Sequence, residues 1–262
     1  MSGSLAELVA LATYGNAWLG TDEAPPELYP GHSVFRHVRG LVFVRSQGWR
    51  GLGSGGRWTT TAAWYADLRR RGATAFRLEP WPRLHSELPD HIAVAFAGGA
   101  PCALGVEYGT VCEWWAARWR FEFPGWSAEH RCQRLAAPAP PTVSLGEAGD
   151  RLREAIVEAM RFAQQAGEPT WARGFAEALQ LLDAPEPAIP YHSDLLPEQH
   201  YSPEARRVLA CGCQAWVFGG MGSWNDLVFT DPEHQAEYDR LTPRLFQAVL
   251  HAIATASSSR VS

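Results

Sequence analysis

Apolar residues recur along this chain with two spacings, and the change from one to the other organises it. Leu5, Leu8, Val9 and Ala12 fall at helical spacing and predict an opening helix that ends near Gly15. Residues 16–32 read as a loop, and the four-residue apolar run from Leu41 to Val44 fits a buried strand. A helix capped by Thr59 or Thr60 follows, with Ala62, Tyr65 and Leu68 on one face, and then a strand over Thr74 to Leu78. From His91 the period shortens towards two. The pattern predicts a meander over His91–Ala97, Cys102–Tyr108 and Val111–Phe123, with turns at Gly98-Gly99 and Gly109-Thr110. In its last strand Trp115, Ala117, Trp119, Phe121 and Phe123 share the face expected to meet a core. Trp114, Ala116, Arg118, Arg120 and Glu122 share the other.

Beyond a proline-rich linker at 136–141 the period lengthens again. Ser144 and Glu147 have capping-box spacing ahead of the stripe Leu152, Ile156, Ala159, Ala163. Pro169 opens a second helix carrying Trp171, Phe175, Ala178 and Leu182. Residues 184–202 form a proline-punctuated loop. Ser202 and Pro203 then cap and start a helix that is apolar on every side from Val208 to Phe218, which marks it as the central helix, with Gly219 and Gly220 as its stop. Tyr238, Leu241, Leu245, Val249 and Ala252 define a final helical segment that Thr242-Pro243 should split in two. The expected fold is α+β: an N-terminal part (1–135) with a largely antiparallel sheet and helices, then an all-helical part (142–262) packed on it as one unit.

Composition removes several functions. All 23 basic residues are arginine, so chemistry that needs a Schiff-base, P-loop or kinase-type lysine is excluded. A net charge of -5 without a basic stripe is the wrong balance for gripping a polyanion, so no nucleic-acid partner is expected. The start lacks a basic segment leading into an apolar one, and no run approaches membrane-spanning length, which together predict a cytoplasmic protein without a membrane partner. Five cysteines, an odd number without zinc-ribbon spacing, read as reduced buried thiols. His130, Cys132, Cys211 and Cys213 make a zinc set only on paper.

Candidate chemistry is sparse. Gly51, Gly53 and Gly56 match G-x-G-x-x-G, with Glu79 near the position of a ribose-binding acid. Five residues separate the strand from Gly51, however, and the following chain abandons strand-helix alternation, so no cofactor is expected. No G-x-S-x-G elbow is present. His192, Asp194 and His200 carry metal-ligating side chains in the run YHSDLLPEQHYS, although their spacing matches no metal motif. Ser223 and Asp226 have the spacing of a cap, while Trp224, Asn225 and Asp226 on a glycine-rich loop would suit partner recognition. Trp114, Arg118 and Arg120 form a second candidate partner surface. Acidic charge, twelve tryptophans and the lack of a complete catalytic signature favour a protein-binding protein, of the toxin-neutralising (immunity) or accessory kind. The alternative is a hydrolase, metal-dependent or not, built on His192, Asp194 and His200.

Overall fold

A computed structural model of the chain describes residues 1, 3–46, 55–80, 89–97, 102–136 and 143–259. Its elements in order are α1 (Gly3–Leu19), β1 (Val38–Arg45), β2 (Gly56–Trp58), α2 (Thr61–Arg70), β3 (Ala75–Pro80), α3 (Asp90–Ala97), β4 (Cys102–Tyr108), β5 (Val111–Glu122), β6 (Gly125–Ala136), α4 (Leu145–Gln165), α5 (Pro169–Asp183), α6 (Pro203–Gln214) and α7 (Pro232–Ser258). The fold is α+β, as the change of period predicts. The strands form one sheet in the order β2-β1-β6-β5-β4-β3, in which only β1 and β6 run parallel.

The local signals account for most of these boundaries. Gly109, at φ 70°, takes the left-handed turn that closes the β4–β5 hairpin, with Tyr108 paired to Val111. The hydroxyls of Thr60, Ser144 and Ser202 each accept an amide hydrogen in the first turn of the helix they precede. Four expectations need correction. Residues 90–97 form a helix, α3, rather than a strand. Residues 125–136 form a strand, β6, where none was predicted. The run from Val208 remains helical only to Gln214, and the chain then turns, so Gly219 and Gly220 lie beyond the helix they were expected to stop. Finally, α7 is one helix through Pro243. Of the linker predicted at 136–141 only Ala136 is described, and it ends β6; the rest of the linker and the turn at 98–101 lie outside the described residues, as do Gly51 and Gly53, and of that glycine motif only Gly56, in β2, is described.

One face of the sheet is covered. Against it Phe43 of β1 stacks on Trp64 of α2 at 4.2 Å, and Trp64 meets Trp115 of β5 edge-on at 5.4 Å. A single apolar core runs from Leu5 in α1 to Ala256 in α7 and so includes residues on both sides of the predicted linker. The end of α7 reaches the sheet, where the Leu78 amide donates to Ser258 Oγ at 2.9 Å. Farther back, α7 packs on α4 and α6. A Cβ on Gly212 of α6 would lie 2.8 Å from Ile253 of α7, so the close approach of these two helices requires glycine there.

The helical half has its own aromatic centre. Trp224, fully buried, lies 5.7 Å from Trp171 and 5.2 Å from Phe175 of α5, and 5.6 Å from Tyr238 of α7. Its indole Nε1 donates to Thr242 Oγ1 at 2.9 Å, and its carbonyl accepts from the Tyr238 hydroxyl at 2.7 Å. Trp224→Ala should therefore cost about 3–5 kcal/mol, as large aromatic truncations in cores do, since it also removes the indole bond to the Thr242 hydroxyl. Trp224→Phe, which keeps most of the volume, should cost clearly less. Chemical denaturation of the two variants beside the parent measures this, and a loss below about 1 kcal/mol for the alanine variant would remove Trp224 from the core.

Candidate functional site

The described residues bring polar side chains from distant parts of the chain together at one place, around Asp194. Ser33 opens a single 3-10 turn (Ser33–Phe35) just before β1, and the 184–202 loop passes over it. The Ser33 amide donates to Asp194 Oδ2 at 2.8 Å, and the Ser33 hydroxyl donates to Oδ1. With its proton committed to Asp194, the hydroxyl oxygen accepts from His192 Nδ1 at 2.8 Å. This assigns His192 as the Nδ1–H tautomer and leaves Nε2 an acceptor without a protein partner among the described residues. The loop is pinned from below as well. The Asp194 carbonyl accepts from Tyr14 of α1 at 3.0 Å and from His32 Nε2 at 2.6 Å.

Each titrating group here responds to burial and to these bonds. Burial opposes the charge on Asp194, but the hydrogen bonds it accepts, led by the two from Ser33, outweigh it and hold the carboxyl below its usual range. Burial lowers both His32 and His192, the latter helped by the positive charge of the N-terminal amine and, less, by that of Arg36. The 3.6 Å approach of His32 Nδ1 to Asp194 Oδ2 is accordingly not an ion pair, because Nδ1 accepts from the Val34 amide and the ring is neutral. His192 and Asp194, expected to act together, are thus brought together by Ser33. His200 is not part of this group: it lies in the turn Glu198–His200 with Nε2 3.4 Å from the Gln199 amide nitrogen. Among the described residues no three His, Cys, Asp or Glu side chains are arranged to hold a metal.

The other predicted residues divide between core and surface. Trp224 is core, so the expectation that it faces a partner is corrected: its indole has no accessible surface. Asn225 ties the same turn to α3, donating from Nδ2 to the His91 carbonyl at 2.7 Å. Asp226 caps, its Oδ2 accepting from the amides of Gly222 and Ser223 at 2.6 and 3.1 Å. Trp114 is also buried, in a small cluster with Ala103 and Cys112 on the sheet's outer side, and is likewise not presented. Arg118 and Arg120 are exposed as expected. With Arg57 they border a shallow depression of about 300 Å³ over Gly40 and Ser127, and none of the three makes an ion pair among the described residues. His130 and Cys132 lie on β6, whereas Cys211 and Cys213 lie on α6; His130 is engaged by Glu7, and burial pushes both α6 thiols up to about 12.

Sequence reasoning missed two features. One is Ser33, whose role depends on a contact 161 residues away. The other is the end of the β5–β6 hairpin, where Phe121, Phe123 and Trp126 are 59%, 91% and 39% exposed. The alternating apolar face that predicted a core here is buried at Trp115 and exposed by Phe121.

No protein-family model, curated protein or solved structure matches the chain. No helix among the described residues is long and apolar enough to cross a membrane.

The Asp194 site should show in the pH dependence of stability. A carboxyl held below its unfolded value stabilises the fold above the unfolded pKa of about 4, and that contribution is lost as pH falls through the folded value. Asp194→Asn should therefore lower Tm at neutral pH, with the difference from the parent shrinking as pH falls below about 4. Thermal unfolding of both proteins from neutral pH to pH 3 measures this. A difference that stays constant or widens in acid would show that Asp194 is not held in its charged form.

Proposed function

We propose that the chain is a protein-binding protein that docks through the free end of the β5–β6 hairpin, and that its partner presents an acidic face with apolar groups beside it. The observation that carries this reading is the exposure of Phe121, Phe123 and Trp126 together at the hairpin end. Large aromatics are the residues most often found as anchors of protein interfaces, and a monomer rarely leaves several of them in one patch. The chemistry of the partner follows from Arg57, Arg118 and Arg120, three guanidinium groups gathered around one depression in which Glu129 is the one carboxylate among the described lining residues, in a chain of net charge -5. Carboxylates on the partner would meet them, and such pairs set orientation and association rate more than affinity. The role is that of a neutralising or accessory protein, which acts by occupying a partner's surface.

Phe123→Ser and the double change Arg118→Glu with Arg120→Glu test the reading, because all three side chains are exposed and their loss should leave Tm nearly unchanged. Immobilised parent protein should retain a defined acidic protein from cells of the source organism, released by raising salt. Retention by either variant should fall roughly tenfold or more, the size of a hot-spot loss. Equal retention by parent and variants, including none by any of them, overturns the proposal. So does a partner that is basic, a nucleic acid, or a second copy of the chain detected by light scattering.

A further inference from the structure

A cavity of about 390 Å³ opens beside the Asp194 site, on the side of the sheet opposite Arg118 and Arg120. It lies where the first turn of α1, the turn Ser33–Phe35, the inner face of the β5–β6 hairpin and the 184–202 loop converge. Its volume falls within the range of small-molecule pockets, which are apolar with a few convergent polar groups. The apolar part is a wall made by Trp119 and Trp126, which touch edge to face with centroids 6.2 Å apart, continued by Val34 and Val38. The polar part includes Ser33, Arg36 and His192, with Ser4, His37 and Met1 also at its edge.

Among the described residues, three polar groups at the cavity retain capacity for a ligand. Arg36 makes no ion pair among the described residues, and the nearest carboxylate in this network, Asp194, is engaged by Ser33. His192 is fixed as an acceptor at Nε2 by the chain of hydrogen bonds from Asp194 through Ser33, so it can receive an N–H or O–H from outside. The Trp119 Nε1–H is buried without an acceptor. At the mouth stands Tyr191, a bulky residue held at φ 70°, a conformation L side chains seldom adopt and one that concentrates at ligand sites.

We propose that this cavity binds a small aromatic carboxylic acid. Its ring lies against Trp119 and Trp126, its carboxylate pairs with Arg36, and a hydroxyl or N–H on the ring donates to His192 Nε2. The site shares Trp126 with the partner surface but uses none of Phe123, Arg118 and Arg120, so changes at those three residues separate the two proposals.

The probe is indole-3-acetate, which carries an aromatic ring, a carboxylate and a ring N–H. Two analogues each remove one feature: indole-3-acetamide removes the charge and 1-methylindole-3-acetate removes the N–H. Isothermal titration with the full chain should show saturable one-to-one binding of indole-3-acetate and at least roughly tenfold weaker binding of the amide, the scale of one charge-assisted pair. Arg36→Gln should bring the acid down to the affinity of the amide while leaving the amide unchanged, a control that a misfolded variant would fail. His192→Leu should abolish the preference for indole-3-acetate over its N-methyl analogue. The variant with Arg118→Glu and Arg120→Glu should bind the probe as the parent does, whatever becomes of partner binding. Absence of saturable binding up to ~1 mM, or binding that ignores both the charge of the probe and Arg36→Gln, overturns the proposal.

Discussion

A helix enclosed on nearly every side must find a partner inside the protein for each polar side chain it carries, and α1 is such a helix. Of its residues only Gly3, Tyr14 and Leu19 have appreciable exposure. Glu7 meets His130 of β6 at 2.7 Å. Asn16 exchanges two bonds of 2.7 Å with the backbone of Phe76 in β3, while Thr13 donates to the Leu195 carbonyl at 2.9 Å. The Leu11 carbonyl receives the Tyr65 hydroxyl of α2 at 2.6 Å. An unmet polar group in this setting costs roughly 1–3 kcal/mol, so these bonds act as a registration device as much as a source of stability. They fix α1 against both strands, α2 and the 184–202 loop at once.

That registration also builds the candidate site. The loop carrying His192 and Asp194 belongs by sequence to the helical half, and it is held to the sheet half by Thr13, Tyr14 and His32. Tyr201 adds a bridge, its hydroxyl lying 3.2 Å from the Thr13 carbonyl and 3.3 Å from that of Ser257. Ser33 and His192 therefore meet because two halves of the chain dock, with the core of α1 as their common support. Short motifs carry no record of such a meeting. The run YHSDLLPEQHYS placed His192 and Asp194 in view, but the group that joins them lies 159 residues from His192.

What could be read from the sequence was whatever depends on neighbours along the chain. The caps at Thr60, Ser144 and Ser202 and the turn at Gly109 are local, and they stand where the residues indicate. Strand β6 was also legible in principle: Trp126, Ala128, His130 and Cys132 alternate with Ser127, Glu129, Arg131 and Gln133. The signal is hidden because its buried face includes a histidine, acceptable inside only because Glu7 is there to meet it. The apolar run His91–Ala97 suits helix and strand alike, as short apolar runs do. Pro243 misled for the opposite reason. Proline interrupts the hydrogen-bond ladder of a helix, yet the packing of Thr242 and Leu245 on either side keeps α7 continuous.

The hairpin end and the Asp194 site differ in how they are tied to this core. Each strand of the hairpin has twelve residues, so at about 3.3 Å per residue it spans roughly 40 Å, and its inner face passes from buried at Trp115 to exposed at Phe121 and Trp126. Phe121 and Phe123 consequently rest on little, and changes there need not propagate inward. Changes around Asp194 must propagate, because its backbone carbonyl and carboxylate together receive the bonds that hold the loop to α1 and to the turn at Ser33. The inner side of the hairpin joins the two regions: Trp126 is partly exposed at the hairpin end and also forms a wall of the cavity beside Ser33. A partner that clasped the hairpin from outside would therefore press on one wall of a cavity whose opposite side is fixed to the core, and the two surfaces would compete or cooperate through the position of that one tryptophan.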